Sequence, residues 1–174
     1  MANKGIDLAV QEVEMMLGDK LERGEEITLR DLNTLEYLER CVKESLRLFP
    51  VVPLIARDLK TPLKIGTTVV VATYILHRDP KVFPNPEKFD PDRFCRNEDR
   101  NPYAYAPFSA GSRNCIGQKF AMVEVKLMLA KVLLNFEIQS IEKRRQLKLQ
   151  GEIVLNNQNG VQVSVSKRKK NNNK

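Results

Sequence analysis

The sequence is poor in the residues that most often hold metals or run acid–base chemistry: in 174 residues there is one histidine, His77, and three cysteines, Cys41, Cys95 and Cys115. A single histidine excludes a histidine-rich metal centre, and nothing in the sequence places it beside a cysteine as the base of a nucleophilic pair. Standing alone at a strand end, His77 reads as a hydrogen-bonding structural residue. The odd number and wide spacing of the cysteines argue against a disulfide framework and fit a reducing compartment. They also lack the clustering that zinc or iron–sulfur sites need. No apolar run reaches the ~18 residues of a membrane span, and Met1-Ala-Asn-Lys-Gly5 is not a signal peptide. Internal repeats are absent.

What is present suits a globular chain with a sizeable core, 42% of it hydrophobic. The formal charge is +7. Much of the excess follows Ser140, in Lys143-Arg144-Arg145 and Lys167-Arg168-Lys169-Lys170. Such a tail is usually a solvated stretch, and the alternative it permits is a nucleic-acid-binding role.

Periodicity lays out the elements. Leu8, Val10, Val13, Met16 and Leu17 mark a helix from Ile6 that Gly18 is expected to stop, leaving Asp19 to Glu26 as a surface turn. Thr28 and Asp31 resemble a capping box, and Asn33 with Glu36 a second helix start. The stripe Leu35, Leu38, Val42, Leu46 and Phe49 carries that helix to Pro50, with Glu44 and Arg47 paired at i and i+3. Pro53 to Arg57 and Thr67 to Ala72 read as strands around a short segment, Asp58 to Gly66. Six prolines, at 80, 84, 86, 91, 102 and 107, then deny any regular element, while Phe83, Phe89, Phe94, Tyr103, Tyr105 and Phe108 argue that the segment packs down. From Gln118 to Phe136 two apolar rows, Phe120, Val123, Leu127, Ala130, Leu134 and Met122, Val125, Leu129, Leu133, predict a buried helix. Alternation at Ile153 and Leu155 and at Val161, Val163 and Val165, about Asn159-Gly160, predicts one β-hairpin.

Phe108-Ser-Ala-Gly111-Ser-Arg113-Asn-Cys115-Ile-Gly117 delivers one cysteine onto the start of the long helix. Unpaired N–H groups, the helix dipole and Arg113 there favour a thiolate. Gly111 and Gly117 bracket the loop where a side chain would obstruct a turn or the flat face of a ligand. Cys115 is thus an inert buried thiol, a nucleophile short of a base, or a metal ligand. Among metals, haem iron needs only one protein thiolate, because the macrocycle supplies the equatorial nitrogens.

Phe108, Gly111, Arg113, Cys115 and Gly117 resemble, with its spacing, the cysteine-loop motif of the cytochrome P450 haem-thiolate monooxygenases. Gln118-Lys119-Phe120-Ala121 looks like the animal microsomal branch. Two further motifs of that family stand in the right order, Glu44-Ser-Leu-Arg47 and Pro91-Asp92-Arg93-Phe94. The resemblance covers Ile6 to Arg168 and is strongest to the fatty-acid ω-hydroxylase group and its insect relatives.

The resemblance implies a mainly α fold with small β-hairpins (α+β), the C-terminal haem-binding part of a single domain over residues 1–166, and a basic disordered tail over 167–174. It implies haem b as cofactor, ligated by Cys115, with Arg57, Phe108, Gly111, Arg113 and Gly117 around it, Arg57 and Arg113 on the propionates. No catalytic residue is expected in this part, since the oxygen-activating helix would precede Ile6. Glu44, Arg47 and Arg93 would form a buried structural network, and Arg96, Arg100 and Lys119 the surface for an NADPH-dependent reductase. The reaction implied is insertion of one oxygen atom into a C–H bond of a lipophilic substrate, at the cytoplasmic face of the endoplasmic reticulum (microsomal) membrane, through an anchor not in this chain, with no nucleic acid as partner. A haem-binding or interaction remnant without turnover is the other reading.

Overall fold

The computed structural model describes residues 4–58, 68–95 and 100–168. In chain order the longer elements are α1 (Lys4–Glu22), α2 (Leu29–Asn33), α3 (Glu36–Leu48), β1 (Leu54–Asp58), β2 (Thr68–Ala72), α4 (Thr73–Leu76), α5 (Gln118–Asn135), β3 (Phe136–Ser140), β4 (Leu149–Gly151), β5 (Leu155–Asn157) and β6 (Val163–Lys167). This is the expected mixture of helices and small antiparallel sheets. The chain divides into two compact units, each assembled from separated stretches: Met1–Val42, Lys119–Lys148 and Asn157–Lys174 in the first, Lys43–Gln118 and Leu149–Asn156 in the second.

In the first unit α1 buries Ala9, Val10, Val13 and Leu17 against Leu32, Leu35 and Leu38, with Ala130 and Leu133 of α5 completing the core. The helix does not stop at Gly18. Leu21, one turn further, packs against the same core, and that burial outweighs the ~1 kcal/mol cost of a glycine inside a helix. The stop is Gly24, at φ +70. There Gly24 N–H bonds Leu21 O at 3.2 Å and Glu25 N–H bonds Lys20 O at 2.9 Å, the paired bonds of a Schellman close on a left-handed residue.

Thr28 and Asp31 do form the capping box of α2. Asp31 also accepts from Lys20 Nζ at 2.8 and 2.9 Å. Lys20 first, and Thr28 next, hold the Asp31 carboxyl well below the usual carboxylate range. Asn33, expected to start α3, instead closes α2. The open end of α3 is capped from α1, where the Glu12 carboxylate accepts from the N–H groups of Tyr37 at 2.7 Å and Leu38 at 2.8 Å.

The expected all-round burial of α5 is not found. Ala130 and Leu133 are buried, whereas Phe120, Val125 and Met128 are exposed, and the charged Lys126 is buried with its Nζ 2.9 Å from Glu39. The helix ends at Asn135, and Phe136 opens a strand.

The predicted hairpin over 153–165 is also corrected. Its two alternating runs do not pair with each other: β6 pairs antiparallel with β3, and β5 with β4. The turn between them is held by Asn157, whose side chain donates to Gly160 O and accepts from Lys148 N–H, drawing β5 away from β6. Lys167 belongs to β6 rather than to a tail, and Arg168 bonds Leu133 O at 2.9 Å and, through its N–H, Asn135 O at 2.8 Å. Residues 169–174 lie outside the described residues.

In the second unit β1 and β2 form an antiparallel pair, in register from Leu54↔Ala72 to Asp58↔Thr68. The shortened connection, apart from Asp58 itself and Thr68 onward, lies outside the described residues. After α4 the proline-rich stretch is irregular, as its composition demands, with 3-10 turns at Pro91–Phe94 and Pro102–Ala104. Phe83 is fully buried and Ala104 and Ala106 nearly so. Packing down is partial, because Phe89 and Tyr103 face solvent.

Candidate functional site

Glu44 and Arg47 share one face of α3, one turn apart, and both are completely buried. Arg47 grips the carboxylate with a two-bond fork, Nε to Oε2 at 2.8 Å and Nη2 to Oε1 at 2.9 Å. Arg93 adds its Nε to Oε1 at 3.2 Å, and Asp90 N–H a further bond at 2.9 Å. The guanidiniums also reach main-chain carbonyls: Arg47 to His77 O at 2.8 Å and Pro86 O at 2.7 Å, Arg93 to Pro84 O at 3.2 Å. A charge taken out of water survives where pairing and hydrogen bonds replace hydration. These same bonds order a stretch that no helix or strand could order.

His77 is fully buried beside this cluster. Its Nε2 accepts from Ala106 N–H at 3.0 Å, so the ring proton of the neutral form sits on Nδ1. Burial above all, with the charges of Arg47 and Arg78, pushes its pKa down to about 4 against the opposing pull of the Arg47 and Leu46 carbonyls. The Tyr105 ring lies 5.2 Å from it, and the Tyr105 hydroxyl donates to Lys43 O at 2.8 Å. Burial, and then the charge on Glu44, push that phenol up.

The cysteine loop follows directly. Ser109 N–H bonds Ala106 O at 3.1 Å, Cys115 N–H bonds Phe108 O at 2.9 Å and Asn114 N–H bonds Gly111 O at 3.2 Å. Two residues take left-handed backbone, Ser109 at φ +64 and Gly111 at φ +82; at Gly111 a side chain would be strained although space for one exists. Arg57 braces the loop from β1, its Nη2 donating to Ser109 Oγ at 2.6 Å and Arg113 O at 3.3 Å. Cys115 is a free, exposed thiol immediately before α5, whose first N–H, at Gln118, bonds Cys115 O at 3.3 Å. Ile116 beside it is fully exposed, Phe108 is half-buried, and Arg113 is exposed.

The structure therefore brings Glu44, Arg47 and Arg93 together, and Arg57, Phe108, Gly111, Arg113, Cys115 and Gly117 into one loop region. Two of the three residues expected on the partner surface are described. Arg100 turns inward, bonding Arg93 O at 3.1 Å and lying over the rings of Phe83 and Phe94. Arg96 lies outside the described residues, and Lys119 is exposed. A cavity of about 640 Å³, lined by acidic residues of α1 with Leu134, Glu137 and Arg168, touches none of the predicted site residues.

Among the described residues no three or more His, Cys, Asp or Glu side chains cluster to hold a metal ion. One open thiol with apolar and cationic neighbours is a donor set for a metal that brings its other ligands in an organic ring, as in haem-thiolate proteins. The cytochrome P450 family model matches residues 7–165. Cytochrome P450 4V2 of Rattus norvegicus is 48% identical over 151 residues, which are 82% of this chain and 29% of that protein. Cytochrome P450 4c3 of Drosophila melanogaster is 43% identical over 91% of the chain and 31% of its own length, and cytochrome P450 4A24 of Sus scrofa 41% identical over 90% and 32%. The chain belongs to the cytochrome P450 family, and it spans about a third or less of the length of these relatives.

Three positions escaped the sequence reading. Glu12 and Lys126 find their partners 25 and 87 residues away, and Tyr105 binds a main-chain carbonyl; none of these leaves a local pattern.

Proposed function

We propose that Cys115 would hold a haem b through its thiolate, and that the chain is the C-terminal part of a monooxygenase acting on a lipophilic substrate: a fatty acid, a hormone-like lipid or a xenobiotic. The observation that carries this reading is the open Cys115 thiol on a loop fixed by the Phe108 carbonyl and by Arg57. Residues 1–166 then form one portion of the haem-thiolate domain. When bound, haem supplies activation of dioxygen and insertion of one oxygen atom into a C–H bond, the other being reduced to water. The chain's own residues present and hold. Cys115 offers the sulfur, its N–H fixed on Phe108 O, and Gly111 and Gly117 keep the loop free of side chains that would stand over a flat ligand. Arg57 and Arg113 supply guanidiniums suited to propionate carboxylates. Glu44, Arg47 and Arg93 lock the stretch that leads into the loop. Electrons come from an NADPH-dependent reductase, for which Lys119 is the exposed cation of the proposed docking face.

The proposed setting is the cytoplasmic face of the endoplasmic reticulum. Among the described residues no helix is long and apolar enough to cross a membrane. The test uses the complete protein that carries this segment: its reduced, carbon-monoxide-bound form shows the red-shifted absorption of thiolate ligation, and Cys115→Ser removes it. An unchanged spectrum in that variant overturns the assignment.

A further inference from the structure

We infer that His77 is a positioning residue for the cysteine loop: as a hydrogen-bond acceptor it fixes the Ala106 amide, and through it the turn that presents Cys115. This rests on Cys115 being the haem ligand.

The hydrogen bonds run in both directions from His77, through its main chain on one side and through its imidazole Nε2 on the other. On one side, His77 is rooted in the buried cluster: its carbonyl takes Arg47 Nη1 at 2.8 Å, its N–H bonds Thr73 O at 2.9 Å, and Thr73 Oγ1 donates to Val52 O at 2.6 Å. The Tyr105 ring, pinned through its hydroxyl to Lys43 O, flanks the imidazole. On the other side, Nε2 takes the Ala106 N–H at 3.0 Å. Pro107 has no N–H, so this is the last main-chain donor before Phe108. Ala106 O in turn accepts from Ser109, which is left-handed, and Phe108 O accepts from Cys115. A buried N–H ordinarily meets a carbonyl in a helix or sheet. Here the chain is irregular, and a side-chain nitrogen does that service. Without it, Ala106 N–H would be buried unpaired, and the proline-led approach to the loop would lose its main-chain tie to the buried cluster.

The experiment uses the complete haem-loaded protein and two variants. His77→Leu keeps bulk and removes the acceptor, while His77→Gln returns an oxygen near the Nε2 position. At equal haem content, the reduced carbon-monoxide form of His77→Leu is expected to lose its thiolate-type spectrum about tenfold faster than wild type, the effect of leaving one buried N–H without a partner. His77→Gln stays within about twofold of wild type if the acceptor is what matters. Hydrogen exchange at the Ala106 amide reads the tether without any haem signal, and is expected to speed up in His77→Leu by the same factor. A His77→Leu protein with wild-type spectral lifetime and Ala106 exchange overturns the inference. So does a His77→Gln protein no better than His77→Leu, or failure of both variants to take up haem, which would make His77 a residue of the fold at large. Loss of the thiolate spectrum in wild type would instead overturn the ligand assignment, and the Ala106 exchange comparison would still decide the tether.

Discussion

Glu44 faces two guanidiniums with no exposure to water, and this decides what its removal does. Glu44→Ala strands Arg47 and Arg93 beside each other in the interior, at a cost of roughly 3–5 kcal/mol, so little folded, haem-loaded protein is expected from the complete enzyme. Normal haem content with lost activity would mean that Glu44 acts on the chemistry. His77 gives a pH signature. Its ordinary value of 6.5 falls to about 4 in the fold, so between these limits the unfolded chain binds a proton that the folded chain refuses. Stability therefore rises with pH through that window and is lost as pH falls from about 6.5 toward 4. Arg47 and Arg78 add positive charge near the ring and oppose its protonation, and the Tyr105 phenol beside it stays neutral. Thermal midpoints measured from pH 7 to pH 4.5 should fall less steeply in His77→Gln than in wild type; parallel curves would exclude His77 as the source.

Two glycines separate helix propensity from backbone geometry. Gly18 lies inside α1 with no atom beyond its own stretch of helix within 4 Å of the place a methyl group would occupy, whereas Gly24 is the left-handed close of the same helix. Gly18→Ala should raise the thermal midpoint of the haem-loaded protein, by up to about 1 kcal/mol in stability. Gly24→Ala should lower it by about 1–2 kcal/mol; the same sign for both would show that the close at Gly24 does not govern the helix end. Much of this level was legible in the sequence. The 3.6-residue stripes located α1, α3 and α5, β-branched runs located β1 and β2, and the Thr28–Asp31 box marked α2, because these signals are local. Errors fell where a distant partner decides. Asn33 looked like a cap until Glu12 took that role, and the 153–165 runs looked like one hairpin until β3 and β4 claimed a strand each. Motif residues such as Glu44, Arg47, Arg93 and Cys115 were readable as positions; the carbonyls that Arg47 and Arg93 bind were not, since main-chain acceptors carry no sequence mark.

At the scale of the whole molecule, charge and apolar exposure make separate demands. The net charge of +7 suits an acidic partner, and complementary charge acts mainly on association rate and is screened by salt. Lys119→Glu should therefore slow reduction of the complete enzyme far more at low than at high ionic strength; equal slowing at every salt concentration would place the reductase face elsewhere. Apolar exposure points to what these 174 residues do alone. Ile116, Phe120 and Met128 near the thiol end and along α5 are exposed, as are Val51, Leu54, Val70, Ile75 and Ile153 in the second unit. Exposed apolar surface of this kind favours association where it is contiguous. Cys115, Arg57 and Arg113 supply the sulfur and two cations, but Cys115 is exposed, and water reaching a metal held there would compete with oxygen and substrate. The purified chain is expected to aggregate, to give a weak or misligated haem spectrum, and to form no NADPH-dependent product from medium-chain or long-chain fatty acids even with reductase present. Stoichiometric haem with steady turnover would show that this chain closes the site unaided.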